Sequence, residues 1–176
     1  MWVSGLSRHF LILSLFVSVS INISAQEYTK TLDRIRSIYV YNFMKDIEWE
    51  GISQSETRIC LLDASGFKDE LQKLAATKKL NGKLISVGVI ESPSNCRACD
   101  VLYIDEIAAK LKIKRAEGFK GLIVTSGFYD KSLSNVALLF HDNKLQFSIN
   151  TDLCDKLGLK ISSHLSSLAN QKLIAP

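Results

Sequence analysis

Apolar runs alternate with segments of helical periodicity in the middle of the chain, and this alternation constrains the fold most. The runs predicted as strands are 58–62, 84–90, 100–104 and 121–125, and the segments predicted as helices between them are 65–76 and 106–114. Strands separated by helices at this spacing are typical of right-handed crossovers in a parallel sheet. The sequence therefore predicts an α/β fold, with a mostly parallel sheet and helices on both faces.

The last third of the chain changes its pattern. Two more apolar runs, 135–140 and 145–149, flank a short link of His, Asp, Asn and Lys, which is typical of a tight hairpin turn. We therefore expect an antiparallel C-terminal hairpin at one edge of the sheet. Residues 150–152 each offer a capping side chain for a short helix that Gly158 can end.

The N-terminus predicts export. A charge-free run, 10–19, follows an arginine, and the small residues Ser24 and Ala25 come a few positions later. This order is typical of a secretory signal peptide, and about ten apolar residues are too few to cross a bilayer of roughly 30 Å. We expect cleavage after Ala25, which gives a signal peptide at 1–25 and one exported, periplasmic α/β domain at 26–176.

Charge and motifs indicate a binding protein rather than an enzyme. The expected mature chain keeps 21 basic and 18 acidic residues, a net charge of +3, and these are interspersed rather than grouped. No basic run is interleaved with aromatics, so nucleic acid is not an expected partner. The turn after Leu62 has a single glycine, Gly66, and lacks the patterns of dinucleotide and phosphate sites. No cofactor, metal or catalytic residue is therefore predicted.

Three aspartates follow predicted strands, where α/β active sites form. Asp63, Asp105 and Asp130 are interpreted as helix caps. In the alternative interpretation Asp63 and Asp105 form a small-ligand pocket with Ser126, because ligands bind α/β sheets at the carboxyl ends of the strands.

The four cysteines suggest a structural bond. Cys96-Arg-Ala-Cys99 precedes a strand instead of opening a helix, which disfavours thiol redox catalysis, the third functional alternative. A zinc site would need two further ligands. Cys60 lies in the first predicted strand and Cys99 beside the third, so neighbouring parallel strands could bring the two together as a disulfide. Cys96 and Cys154 either pair with each other or remain buried thiols.

The segment before the first strand has two possible roles. Its apolar residues recur at three- and four-residue steps over 29–47, which predicts a helix with one core-facing stripe: Leu32, Ile35, Tyr39, Phe43 and Ile47. Tyr41, Met44 and Trp49 lie off this stripe. We therefore predict a partner or homodimer surface there, since exposed aromatic residues are common binding anchors.

Three stretches together resemble the YfiR family of exported bacterial proteins. They are Tyr41-Asn-Phe-Met-Lys45 followed by Ile47-Glu-Trp49, then Cys99-Asp-Val-Leu-Tyr-Ile104, then Phe147-Ser-Ile-Asn150 with Gly158-Leu-Lys-Ile-Ser-Ser163 and the segment from Leu165 to Ala169. The resemblance spans about residues 30–170. The chain departs from the family at Glu50, where a proline is usual, at Ser134-Asn135, where paired glycines are common, and at His164, which replaces a basic residue.

The resemblance implies a non-enzymatic regulator. Such a protein binds the periplasmic part of an inner-membrane diguanylate cyclase and holds it inactive, which lowers cyclic di-GMP and biofilm formation. An outer-membrane lipoprotein with a peptidoglycan-binding domain can sequester the regulator. Related domains serve sensor kinases instead, and a homodimer is also possible. The Cys60–Cys99 disulfide is carried over from the family as well.

The C-terminal segment is the main predicted partner surface. Apolar residues alternate there with small polar ones, and the residues predicted to bind a partner are Phe147, Ile149, Ile161 and Leu165, together with Tyr41 and Trp49. In the alternative, this segment is simply an edge strand and a helix packed on the sheet. The other functional alternative is a periplasmic small-ligand-binding module that feeds a sensor kinase.

Overall fold

The computed structural model describes residues 6–48, 55–62, 65–105, 118–141 and 144–169. Its elements are α1 (Leu6–Asp46), β1 (Ile47–Glu48), β2 (Glu56–Leu62), α2 (Ser65–Thr77), β3 (Leu84–Ile90), a 3-10 helix (Pro93–Ala98), β4 (Val101–Asp105), β5 (Leu122–Ser126), β6 (Val136–His141), β7 (Lys144–Ile149), α3 (Thr151–Lys156), β8 (Lys160–Ile161) and α4 (Ser163–Leu168). Over these ranges no helix has an apolar stretch long enough to cross a bilayer.

The main sheet has six strands in the order β3-β2-β4-β5-β6-β7. All neighbouring pairs are parallel except β6 and β7, which form an antiparallel hairpin with Leu138 opposite Phe147. The predicted α/β class and the C-terminal hairpin at one edge are therefore confirmed. Burial explains why the strands were recognisable, since central parallel strands are apolar along their whole length.

The two faces of the sheet are covered differently. Alternation along β2 sends Ile59 and Leu61 to a face that packs against all four described α-helices. It sends Cys60 and Leu62 to the other face, which is covered by the 3-10 helix and two loops through Cys96, Phe119 and Leu133. The helix predicted at 106–114 lies outside the described residues.

The core-facing stripe of α1 differs from the predicted one. Val40, Phe43, Met44 and Ile47 are buried, and Met44, predicted to point away, is only 2% exposed. Ile35, predicted as core, is 40% exposed. Both predictions were wrong.

Polar residues upstream on α1 explain the difference. Asp33 and Ser37 take the buried positions, because their side chains find partners within the helix. Asp33 accepts a hydrogen bond from Arg36 Nη1 at 3.1 Å, and Ser37 donates to the carbonyl of Arg34 at 2.8 Å. A buried polar group that is hydrogen-bonded carries little penalty, so the helix can turn Ile35 outward.

A two-stranded sheet joins the end of α1 to the C-terminal segment. β1 and β8 pair antiparallel, with Ile47 opposite Ile161. The N–H of Ser162 donates to the carbonyl of Asp46 at 2.9 Å. Ser162 also caps α4, since its hydroxyl accepts from the N–H of Leu165. The C-terminal segment is thereby fixed against α1.

Asn81 and Gly82 form the turn that leads into β3. Both have positive φ, 50° and 81°, which is the conformation of the two central residues of a type I′ turn. Leu80 and Lys83 on either side exchange two backbone hydrogen bonds, of 3.0 and 2.9 Å. The turn predicted from the Asn-Gly pair is confirmed.

Candidate functional site

Two of the predicted partner-binding residues lie in the core. Phe147 is 7% exposed, and its ring centroid lies 5.1 Å from that of Phe43 and 5.9 Å from that of Tyr39. Leu165 is 2% exposed. In the free chain these two side chains stabilise the packing of α1 on the sheet, and a partner-binding role for them stays a prediction.

The other predicted partner-binding residues lie nearer the surface. Ile149 and Ile161 are half-buried and pack against the edge of the core. Tyr41 is also half-buried, and its hydroxyl donates to the carbonyl of Lys79 at 3.2 Å. Trp49 lies outside the described residues. The structure therefore brings Phe147, Ile161 and Leu165 together at the C-terminal end of α1 and places Tyr41 on the side toward α2.

An exposed apolar stripe on α1 was missed by the sequence reasoning. Tyr28, Ile35 and Ile38 are all exposed, and their spacing of seven and three residues places them on one side of the helix. We name these three residues the α1 outer face. The helix has apolar residues on two sides, so periodicity alone does not tell which side meets the sheet.

A buried tyrosine in the middle of β4 bonds to the last residue of β5. Tyr103 in β4 is buried, its ring stacks on Phe67 with centroids 4.4 Å apart, and it shares a side-chain hydrogen bond with Ser126. Burial raises the pKa of Tyr103 to about 12, and the bond to Ser126 only partly opposes this rise. Tyr103 is therefore a neutral hydrogen-bonding group at physiological pH and not a proton acceptor.

The raised pKa of Tyr103 predicts a specific loss of stability in alkali. Its ordinary value is 10.0, so the folded protein holds the phenol proton more tightly than the unfolded chain. This contribution is present below about pH 10 and is lost as the pH rises through about 12, to a total of about 3 kcal/mol.

Thermal unfolding from pH 8 to 12 measures this effect. The Tyr103→Phe variant should show a shallower decline in Tm above pH 10 than the wild type. Tyr129→Phe is the matched control, because Tyr129 is only partly buried and burial raises its pKa less strongly. Equal slopes for wild type and Tyr103→Phe would contradict the assignment.

Two charged groups of α1 lie near this tyrosine, because the charges of Arg36 and Asp33 act on its pKa, as does that of Asp105 at the end of β4. The Nε of Arg36 is buried and has no hydrogen-bond partner among the described residues. Asp63, which was predicted to form a pocket with Asp105 and Ser126, lies outside the described residues. In the described ranges no group of three or more His, Cys, Asp or Glu side chains could hold a metal ion.

The connection from β5 to β6 is a loop built around Asn135. Its side-chain oxygen accepts from the N–H of Ile123 at 2.9 Å, and its own N–H donates to the carbonyl of Ile123 at 3.1 Å. Asp130 stabilises the preceding turn by accepting from the N–H of Ser132 at 2.8 Å. Asp130 therefore caps a turn rather than the helix that was predicted. Asn135 stands where paired glycines are common in the family that the chain resembles. Its side chain makes a hydrogen bond at the start of β6 that a glycine cannot make.

The disulfide between Cys60 and Cys99 is present, with Cα atoms 5.8 Å apart, as predicted. Cys96 and Cys154 are buried thiols outside this disulfide. They lie in the clusters on opposite faces of the sheet, which explains why they do not pair with each other. The Nδ2 of Asn135 lies 3.7 Å from the sulfur of Cys154.

The fold and this surface define a disulfide-bonded α/β module with exposed apolar side chains on one helix. The family model described as YfiR/HmsC-like matches residues 33–170, so the chain belongs to this family, as its sequence motifs indicated. Proteins of this family are periplasmic regulators. No curated protein matches the chain.

Proposed function

We propose that the chain is an exported regulator that binds the periplasmic part of an inner-membrane signalling protein of the diguanylate cyclase type. Binding holds the cyclase inactive and thereby lowers cyclic di-GMP and biofilm formation. The mature domain begins at Gln26, after cleavage of the signal peptide at 1–25. An outer-membrane lipoprotein with a peptidoglycan-binding domain is the proposed sequestering partner.

The observation that carries this proposal is the family match, which runs from Asp33 in α1 to the end of α4 and includes every strand of both sheets. The Cys60–Cys99 disulfide supports the periplasmic location, because disulfides persist in oxidising compartments. Regulation by contact also agrees with a strand-end region whose buried tyrosine is neutral at physiological pH.

We assign the α1 outer face to the contact with the cyclase. Apolar side chains that are exposed in the free protein and become buried in a complex supply most of the binding free energy of an interface. Ile35 and Ile38 are exposed in the free protein. The half-buried residues Ile149, Ile161 and Tyr41, with Trp49, are proposed to contribute at the margin of this contact. Phe147 and Leu165 are proposed to act indirectly, by holding α1 and its outer face in place on the core.

Site-specific photocrosslinking in the native host tests this assignment. A photoreactive residue at Ile35 of the exported full chain should crosslink to an inner-membrane protein that carries a cyclase domain, identified by mass spectrometry. The same residue at Lys120, which is exposed on another part of the chain, is the matched control and should not. Absence of any such product at Ile35, from protein shown to be folded and exported, would contradict the assignment.

A charge placed on this face should also release the cyclase. Ile35→Asp with Ile38→Asp should weaken binding by at least tenfold, because loss of two apolar anchors costs more than about 1.4 kcal/mol. Both side chains are exposed, so the fold should tolerate the change. Phe140→Asp alters an exposed apolar residue on β6 and should leave binding unchanged. Equal binding of the double variant and wild type would rule out this face.

The second candidate function is a small-ligand module that feeds a sensor kinase. The observation that favours it is the cluster of Tyr103, Ser126 and Arg36 at the carboxyl ends of the strands, where ligands bind α/β sheets. A ligand bound there should raise Tm with its concentration. Arg36→Met should abolish that shift if the site is correct.

A further inference from the structure

β3 is an edge strand with unusual chemistry. Within the described chain β2 is its only strand neighbour, and its seven residues, Leu-Ile-Ser-Val-Gly-Val-Ile, contain neither a charge nor a proline. Leu84 is 61% exposed and Val89 is 43% exposed. Proteins usually protect such an edge with charged side chains, prolines or bulges, because its free backbone groups pair readily with another strand. The opposite edge, β7, begins with Lys144 and includes Gln146.

We propose that β3 is the surface on which a second copy of the chain docks, with the two β3 strands antiparallel about a two-fold axis at Val87. The proposal concerns self-association and is independent of the cyclase partner proposed above. It would join the two six-stranded sheets into one continuous sheet of twelve strands.

The register about Val87 is self-complementary for apolar side chains. It sets Leu84 of each copy opposite Ile90 of the other, and Ile85 opposite Val89. Directly opposite residues on an antiparallel pair lie on the same face, with Cβ atoms about 4.5–5.5 Å apart. The two exposed apolar residues of β3 would thus each be covered by an apolar side chain of the second copy. Ser86 would lie opposite Gly88, where a Cβ would meet no atom of its own chain within 4 Å.

The charges at the two ends of β3 fit the same register. Lys83 immediately precedes the strand and the exposed Glu91 immediately follows it. Symmetry about Val87 brings Lys83 of each copy to Glu91 of the other, which gives one opposite-charge pair at each end. The backbone N–H and carbonyl of Lys83 already form hydrogen bonds with the backbone of Leu80. The backbone ladder between copies is therefore assigned to Ile85–Val89, and the charged pairs are side-chain contacts beyond its ends.

A charge-swap experiment on the mature chain tests this interface. Sedimentation equilibrium should show a dimer for the wild type. Glu91→Lys and Lys83→Glu alone should each weaken dimerisation by about tenfold, because two like-charge contacts replace two attractive ones. The double variant restores both contacts and should return the dissociation constant to within about threefold of wild type.

A cysteine at the symmetry centre gives a second readout. Val87→Cys should form a disulfide between copies under mild oxidation, whereas Val89→Cys should not, because its counterpart in the other copy lies four positions away along the strand. Val87 packs against the core, so circular dichroism must first show that the variant is folded. A wild-type protein that stays monomeric at high micromolar concentration would overturn the proposal. So would a dimer that is indifferent to all three charge variants, or a Val87→Cys variant that is folded and not crosslinked.

Discussion

Serine in place of Cys99 is expected to lower the free energy of unfolding by about 4 kcal/mol. The disulfide to Cys60 spans 39 positions of the chain, and in the chain-entropy model a closed loop of this length restricts the unfolded chain by about that amount. Both sulfurs lie in the apolar cluster on the sheet face opposite the four α-helices. Burial of the new serine hydroxyl there therefore lowers the free energy of unfolding further. Urea unfolding followed by tryptophan fluorescence measures the change.

The Cys99→Ser experiment has two internal controls. Cys60→Ser and the Cys60→Ser/Cys99→Ser double variant should show about the same loss as the single change, because each removes the one bond. Reductant should destabilise the wild type and leave all three variants unaffected. A wild type that is equally stable with and without reductant would contradict a stabilising role for the disulfide.

Alanine in place of Phe147 is expected to cost about 3 to 5 kcal/mol, as is usual when a buried aromatic side chain is removed. Phe147 contacts both Phe43 and Tyr39, so its loss leaves a cavity between α1 and the hairpin and removes two aromatic contacts. The chain offers a matched control in the same hairpin. Phe140 is exposed, and Phe140→Ala should change stability by less than about 1 kcal/mol.

This comparison also separates two roles for Phe147. If the residue serves the core, loss of partner binding in Phe147→Ala should follow the fraction of unfolded protein and should recover at lower temperature. A variant as stable as wild type that nevertheless fails to bind would show that Phe147 contacts the partner directly, as the sequence predicted.

The strands could be predicted because their signals are local. β3 was predicted with the bounds it has, since Asn81-Gly82 sets its start and Pro93 follows its end. β2 and β4 are apolar on both faces, which is typical of a buried strand or a buried helix. Both runs are too short for a helix, so strands were predicted. The disulfide was predicted because Cys60 lies in one predicted strand and Cys99 beside another, and because the family resemblance implies the same pair.

The surfaces could be predicted less well, because burial depends on tertiary packing. Met44 and Ile35 are both apolar and lie on different sides of α1, and the sheet buries Met44. The hydrogen bonds of Asp33 and Ser37 within the helix let these polar residues take buried positions, and periodicity does not encode such bonds. In the same way, Phe147 and Leu165 follow the alternating pattern of a surface segment, yet α1 covers them.

Cyclic di-GMP in a strain that lacks this chain tests the central proposal most directly. The account predicts a level above that of the parent strain, which returns to normal with the full chain and stays high with residues 26–176 kept in the cytoplasm. It also predicts that Ile35→Asp with Ile38→Asp fails to restore the level, whereas Phe140→Asp succeeds. An unchanged level in the deletion strain, under conditions where the parent strain exports the protein, would contradict the proposed function.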